Sequence, residues 1–271
     1  MTRPMIMRPV GTPSAESGWG RRKLLAAVAA AATLLLVLVA GLGYAVYLVV
    51  ADHSTPAAPA PAAGSVELRD RITAEPMLAV DSSASRPSAL SAIPADRVAI
   101  PAATRTGPAG VPTGFPHTPE GAVGQLAAIE VAVLASMSID YTAAVHQAWT
   151  WPGAADVSAW PMAENVRSFL GSAGMTGELD PGATVQVSPA AARIKGVDGP
   201  DWVLACVLLV VDAHVNVGAR MAYGYCERMQ WSPGERRWLV GPGVPAAPAP
   251  STWPGTDLAR QAGWLTWTED R

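Results

Sequence analysis

Lysine is nearly missing from this 271-residue chain: Lys23 and Lys195 are the only two, and the other cations are arginines. Charged residues make up 15% and the formal net charge is −3. Without a basic patch or stripe the chain lacks the electrostatic footprint of direct nucleic-acid binding. Cysteine occurs twice, at Cys206 and Cys226, with no Cys-x-x-Cys redox pair. A zinc site would need two more ligands at compatible spacing, and the nearby His214 stands alone. The histidines His53, His117, His146 and His214 are scattered and form no His-Glu-x-x-His pattern. "LGSAG" (170–174) lacks the spacing of a nucleophile elbow, and neither a phosphate-binding loop nor a dinucleotide fingerprint is present. The expectation is therefore a protein with no catalytic, cofactor-binding or metal-ligating residues, and not an enzyme.

What the chain does have is apolar residues, half of the total, together with 25 glycines and 25 prolines. Residues 24–50, "LLAAVAAAATLLLVLVAGLGYAVYLVV", carry no charge. About 20 apolar residues cross a bilayer core, so this run spans one with some tilt. Arg21, Arg22 and Lys23 stand at its N-terminal edge, while the other flank offers Asp52 and His53. The positive-inside rule puts residues 1–23 in the cytoplasm as a short tip and everything after Val50 outside. The run is too long for the apolar part of a cleaved signal, so it reads as a retained single-pass anchor in the cell membrane.

Residues 51–115 read as a Pro/Ala-rich extracytoplasmic linker. "STPAAPAPAAG" (54–64) is a semi-rigid spacer, and large apolar residues are sparse up to Phe115. Such a stretch buries too little to offset its ordering entropy and is expected to be disordered. "SVELRDRITAEPMLAV" (65–80) is less biased. It reads as tolerated linker, with a short element or docking motif as the alternative.

The domain itself is assigned to residues 116–271. Thr118 caps a helix that has Pro119 in its first position and Glu120 in its first turn. Val123, Leu126, Ile129, Val133 and Met137 recur at helical spacing. Further helices are expected over 140–149 and 162–170, with Trp149, Trp151 and Trp160 sealing the helical layer. Strands follow at 183–197, 201–215, 219–231 and 236–240, then a short helix over 257–262 capped by Thr256. Helices first and an antiparallel sheet afterwards is an α+β pattern. Trp253, Trp264 and Trp267 give the tail enough apolar area to dock back on the domain.

The two cysteines lie on the strongest strands. If Cys206 faces Cys226 across a hairpin, the same register sets Asp212 opposite Arg220 as a cross-strand ion pair. It also sorts the faces: Val203, Val207, Leu209, Val211, Met221, Tyr223, Tyr225, Met229 and Trp231 share an apolar face. The cysteines share the other with Asp212, Arg220, Arg228 and Gln230. Outside the membrane a structural Cys206–Cys226 disulfide is favoured over free thiols.

"GFPHTPEGAVGQLAAIEVAVL" (114–134), "GPDWVLACVLL" (199–209), "RMAYGYCERMQW" (220–231) and "APSTWPGTDLARQAGWLTW" (249–267) resemble actinobacterial membrane-anchored proteins of integrative conjugative elements. The layout also resembles the bitopic scaffold proteins of type IV secretion and conjugation. Their outer domains are similar to the nuclear transport factor 2 fold, in which helices pack on a curved antiparallel sheet to form a cone. The resemblance implies a non-enzymatic structural component of a conjugative DNA-transfer apparatus. Its partners would be other transfer-apparatus proteins or further copies of itself. The same fold hosts enzymes such as ketosteroid isomerase, which use acidic groups in an apolar cone. Here the strand acids are Asp212, paired in the register above, and Glu227, near a strand end. The alternative is an extracytoplasmic small-molecule or cell-wall ligand binder, or a degenerate enzyme of that fold. A deep apolar pocket with convergent polar groups would favour the alternative; a filled cone would favour the scaffold.

Overall fold

A computed structural model describes residues 66–215 and 218–270. The predicted span, 24–50, and the cytoplasmic tip lie outside the described residues. Among the described residues no helix is long and apolar enough to cross a membrane.

Among the described residues five α-helices and eight strands follow one another. α1 is Val66–Ala74, β1 is Arg97–Pro101, and the short β2 (Arg105–Thr106) and β3 (Pro112–Thr113) pair with each other. α2 is Pro119–Ser136, α3 is Ile139–Trp149 and α4 is Pro161–Ser172. The strands β4 (Thr184–Val197), β5 (Trp202–His214), β6 (Gly218–Ser232) and β7 (Arg237–Val240) follow, then α5 (Asp257–Gln261) and β8 (Leu265–Asp270). The main sheet has the order β1-β8-β4-β5-β6-β7. All its pairs are antiparallel except β1 with β8. The result is an α+β domain whose helices pack on a strongly curled, antiparallel-rich sheet. β4 carries register shifts at Pro189/Ala191 and Ile194/Gly196. Such bulges bend the strand that holds them, which contributes to the curl.

α2 is the central helix. Thr118 accepts a hydrogen bond from the Gly121 N–H at 3.1 Å, and Met137 ends the helix in the left-handed conformation at φ 42°. The five residues expected on its apolar face are all buried, but so are Gly121, Gly124, Gln125 and Glu130. The helix is enclosed because the sheet lies on one side and β1 and the β2–β3 ribbon lie on others. α3 is capped by Ser138, whose hydroxyl accepts from the Tyr141 N–H, and Asp140 sits in its first turn.

The expectation of a linker as far as residue 115 fails for residues 66–115. α1 is docked by two ion pairs, Arg69–Asp198 and Asp70–Arg228, each at 2.7 Å. β1 adds to the sheet edge beside β8 and buries Ile100. Val111 and Phe115 join the core side. The composition misled because this segment is held by backbone ladders and guanidinium pairs, which need few large apolar side chains. The alternative reading of residues 65–80 as an ordered, docking element fits the described part.

The β5–β6 ladder pairs Cys206 with Cys226 and Asp212 with Arg220. The two sulfurs are bonded as a disulfide. Val203, Val207, Leu209, Tyr225 and Met229 enter the main core beneath the helices, whereas Met221 lies beyond them and is 48% exposed. The opposite face, which carries the cysteines, is covered as well. Cys206, Leu208, Ala222 and Cys226 form a second, smaller core with Ala259, Ala262 and Trp264, and Met77 and Trp253 pack against it. β5 is therefore buried on both faces, which explains why its sequence is a continuous apolar run rather than an alternating one.

Candidate functional site

β7 pairs only with Met229–Ser232, so the preceding length of β6 has a strand neighbour on one side alone. The segment 243–251 runs along that open side as a strap. It is tied down by the Gly224 N–H donating to Ser251 Oγ at 3.0 Å and by Trp264 Nε1 donating to the Pro250 carbonyl at 3.0 Å. Gly224 permits this approach, since a Cβ there would lie 2.9 Å from the Pro250 oxygen.

Between the strap, the end of α3 and the start of α4 is a cavity of about 420 Å³. That is within the range of small-molecule sites. Successive odd positions of β6 point to one face of the sheet, so Tyr223, Tyr225 and Glu227 all line it, and Trp160, just ahead of α4, and Asn165 within α4 join them. Glu227 Oε2 accepts from the Tyr225 hydroxyl at 2.6 Å and from Trp160 Nε1 at 3.3 Å, and its Oε1 accepts from the Arg228 N–H at 3.1 Å. Asn165 donates to the Tyr223 hydroxyl. The rings of Tyr223 and Tyr225 stack at 6.1 Å, and His146 lies 5.2 Å from Trp160. The lining includes no lysine or arginine. Arg228 points to the other face of the sheet, toward Asp70 and the Val244 carbonyl.

Behind this wall stands Glu130 of α2. It is fully buried, and neither carboxyl oxygen has a hydrogen-bond partner. Burial pushes its carboxyl well above the usual carboxylate range, and the negative charge of Glu227 adds to the push. Burial also raises Glu227, but the Tyr225, Arg228 and Trp160 donors oppose that rise. The phenol of Tyr225 is pushed up by burial and by the Glu227 charge. The environments therefore divide the two carboxyls: Glu130 keeps its proton, and Glu227 is the better prepared to carry charge.

The residues expected from the sequence fall in two places. Cys226 lies on the cavity wall, opposite Cys206 in the ladder. Asp212 and Arg220 form a partly exposed pair at 3.8 Å, and neither lines the cavity. Asp212 also meets His214 Nε2 at 3.2 Å; His214 closes β5, paired with Gly218, and is not a loop residue. His117 stacks on Trp231 at 4.3 Å and pairs with Asp201 at 2.8 Å. Among the described residues no three His, Cys, Asp or Glu side chains come together to hold a metal.

Two readings are corrected. Glu227 is not a strand-end acid: β6 continues to Ser232, and the Glu227 carboxyl is buried on the core side. Trp160 seals the helical layer as expected, but it also lines the cavity. Glu130 and Asn165 were missed. The signal for Glu130 was available, because one acid in the midst of "AAIEVAVL" is a charge with nowhere apolar to hide except against another polar group. Compared with known proteins, the chain matches no family model, no curated protein and no solved structure.

Proposed function

We propose that the chain is a single-pass membrane protein whose disulfide-stapled outer domain works by binding, and that the cavity beside β6 is its ligand site. The observation that supports this is the convergence of Glu227, Tyr225, Tyr223, Asn165 and Trp160 on one open space instead of a filled core. A curled sheet under helices is the arrangement that a nuclear transport factor 2-like cone would have. The bonded cysteines are consistent with an oxidising compartment.

A second reading keeps the domain as a non-enzymatic scaffold of a conjugative DNA-transfer apparatus, acting through protein contacts. The sequence resemblance favours it. The two readings are compatible if the cavity regulates assembly.

Native mass spectrometry on protein taken from its own membrane tests the first reading. A retained small-molecule mass is expected, and it should disappear in Ala155→Trp, where an exposed residue on the cavity wall is enlarged. Identical bare masses for both proteins, with no small molecule stabilising the wild type, would sink the binding role. Crosslinking in donor cells tests the second: recovery of no transfer component, with normal transfer after deletion, would remove it. Protease shaving of intact cells should digest the domain if the anchor runs N-in.

A further inference from the structure

We propose that the cavity takes a small organic cation, an amine whose ammonium group sits at the Glu227 carboxylate among the rings of Trp160, Tyr223 and Tyr225. The inference rests on the binding reading above and adds the chemical class of the ligand.

Four features of the wall point the same way. The first is an acid at the cavity surface that is served by three neutral donors and meets no lysine or arginine within the cavity. Arg228, the nearest guanidinium in the sequence, is engaged by Asp70 and the Val244 carbonyl on the other face. The charge of Arg228 still reaches Glu227 and draws its titration down, but the guanidinium does not line the cavity, so a cation in contact with the acid there must come from a ligand. The second is the aromatic lining. The faces of Trp and Tyr attract cations, most strongly where water is excluded, and rings of this kind recognise ammonium groups. Trp160 and Tyr225 are both buried to within a tenth of their surface.

The third is Glu130. A second carboxyl stands behind the first, fully buried with both oxygens unpartnered, so it contributes no charge of its own and no cation to neutralise Glu227. An anionic ligand would meet one carboxylate and a second carboxyl that ionises only at a penalty. An ammonium relieves that tension, since its charge offsets the Glu227 charge that acts on Glu130. The fourth is Asn165. Its amide donates to Tyr223, which leaves its own carbonyl oxygen as a further acceptor for an N–H at the rim.

The experiment is a binding titration of the full chain in detergent, followed by calorimetry and by ligand-observed NMR. The probes are benzylamine, benzyltrimethylammonium, the neutral isostere benzyl alcohol, and benzoate. Benzylamine or its quaternary analogue is expected to bind roughly tenfold to a hundredfold tighter than benzyl alcohol. Benzoate is expected to show no binding. Glu227→Gln should bring amine binding down to the level of the alcohol, while Glu130→Gln, which replaces a neutral acid by a neutral amide, should leave it within a few-fold of wild type. Equal affinity for amine and alcohol would overturn the cation assignment and leave the binding reading standing. No binding by any probe would overturn the assignment, and native mass spectrometry then decides the binding reading separately. The comparison of isosteres on the wild-type chain needs no variant, so a Glu227→Gln protein that fails to fold does not blunt the test.

Discussion

Replacing Glu130 by glutamine should change how stability depends on pH more than it changes stability at any one pH. The carboxyl is wholly buried and unpartnered, and burial together with the charge of Glu227 raises its folded-state titration well above the usual carboxylate range. Below the unfolded value the group is protonated in both states, and its contribution to stability is complete. As pH rises above it, the unfolded chain gives up the proton and the folded chain does not. Stability then falls by about 1.4 kcal/mol per pH unit for this one group until pH passes the folded value. Every pH unit inside that window removes a sizeable part of an ordinary domain's stability. Glutamine has nearly the same shape but does not titrate. Its unpartnered amide carries a desolvation cost, but that cost is constant in pH. The prediction concerns the difference between two slopes, so the constant cancels. Urea unfolding of the wild-type and Glu130→Gln chains at half-unit pH steps, followed by tryptophan fluorescence, measures it. The wild type should decline with pH relative to the variant. Two parallel curves would refute both the burial assignment and the division of roles between Glu130 and Glu227.

The other predictions concern the sheet and its coverings. Removing the disulfide with the pair Cys206→Ala and Cys226→Ala should cost about 2–4 kcal/mol, read from urea midpoints without reductant. Mass analysis of exported protein under alkylation should find no free thiol before reduction. Trp264→Ala empties the second core and strips the donor from the Pro250 carbonyl, so it should cost about 3–5 kcal/mol and loosen the strap, visible as faster hydrogen exchange at Gly224. Arg220→Ala breaks a partly exposed pair at 3.8 Å and should move stability by no more than about 1 kcal/mol, with less effect still at high salt.

The contrast between Arg220 and Arg228 shows what the sequence could tell and where it stopped. The hairpin register followed from pairing one cysteine with the other, and period-two alternation then sorted both strands correctly. What alternation does not reveal is whether a polar-looking face is solvated. Arg228 was counted on the outer face, and it is there, but it is 3% exposed because α1 brings Asp70 to it. That contact spans 158 residues of sequence, and nothing local to either residue encodes it. α1 and β1 escaped detection for the same reason: they dock by ion pairs and backbone ladders, and both leave composition unchanged. Helix caps at Thr118 and Thr256 were legible because a cap is a local bond between near neighbours. The cavity was not. It depends on where β7 ends and where the strap crosses, and neither is written in hydrophobic periodicity. Glu227 was noticed but judged by its place in the strand, whereas its chemistry is set by Tyr225, two residues away on the same face, and by Trp160 from another element.

β1 lies in parallel beside β8, and Thr268 donates to the Val98 carbonyl across 170 residues of chain. A ribosome adding about 5–20 residues per second needs roughly 10–30 s to make that length. During that interval the early arm has no edge to join, while the β4–β5–β6 meander already has its neighbours close at hand. The order of assembly is thus imposed by topology: hairpins early, clasp last. A chain released before its final strand is made would keep its central ladder yet leave Ile100 and the whole early arm without a seat. Closure of the domain therefore waits on residues 265–270, whatever has folded before them.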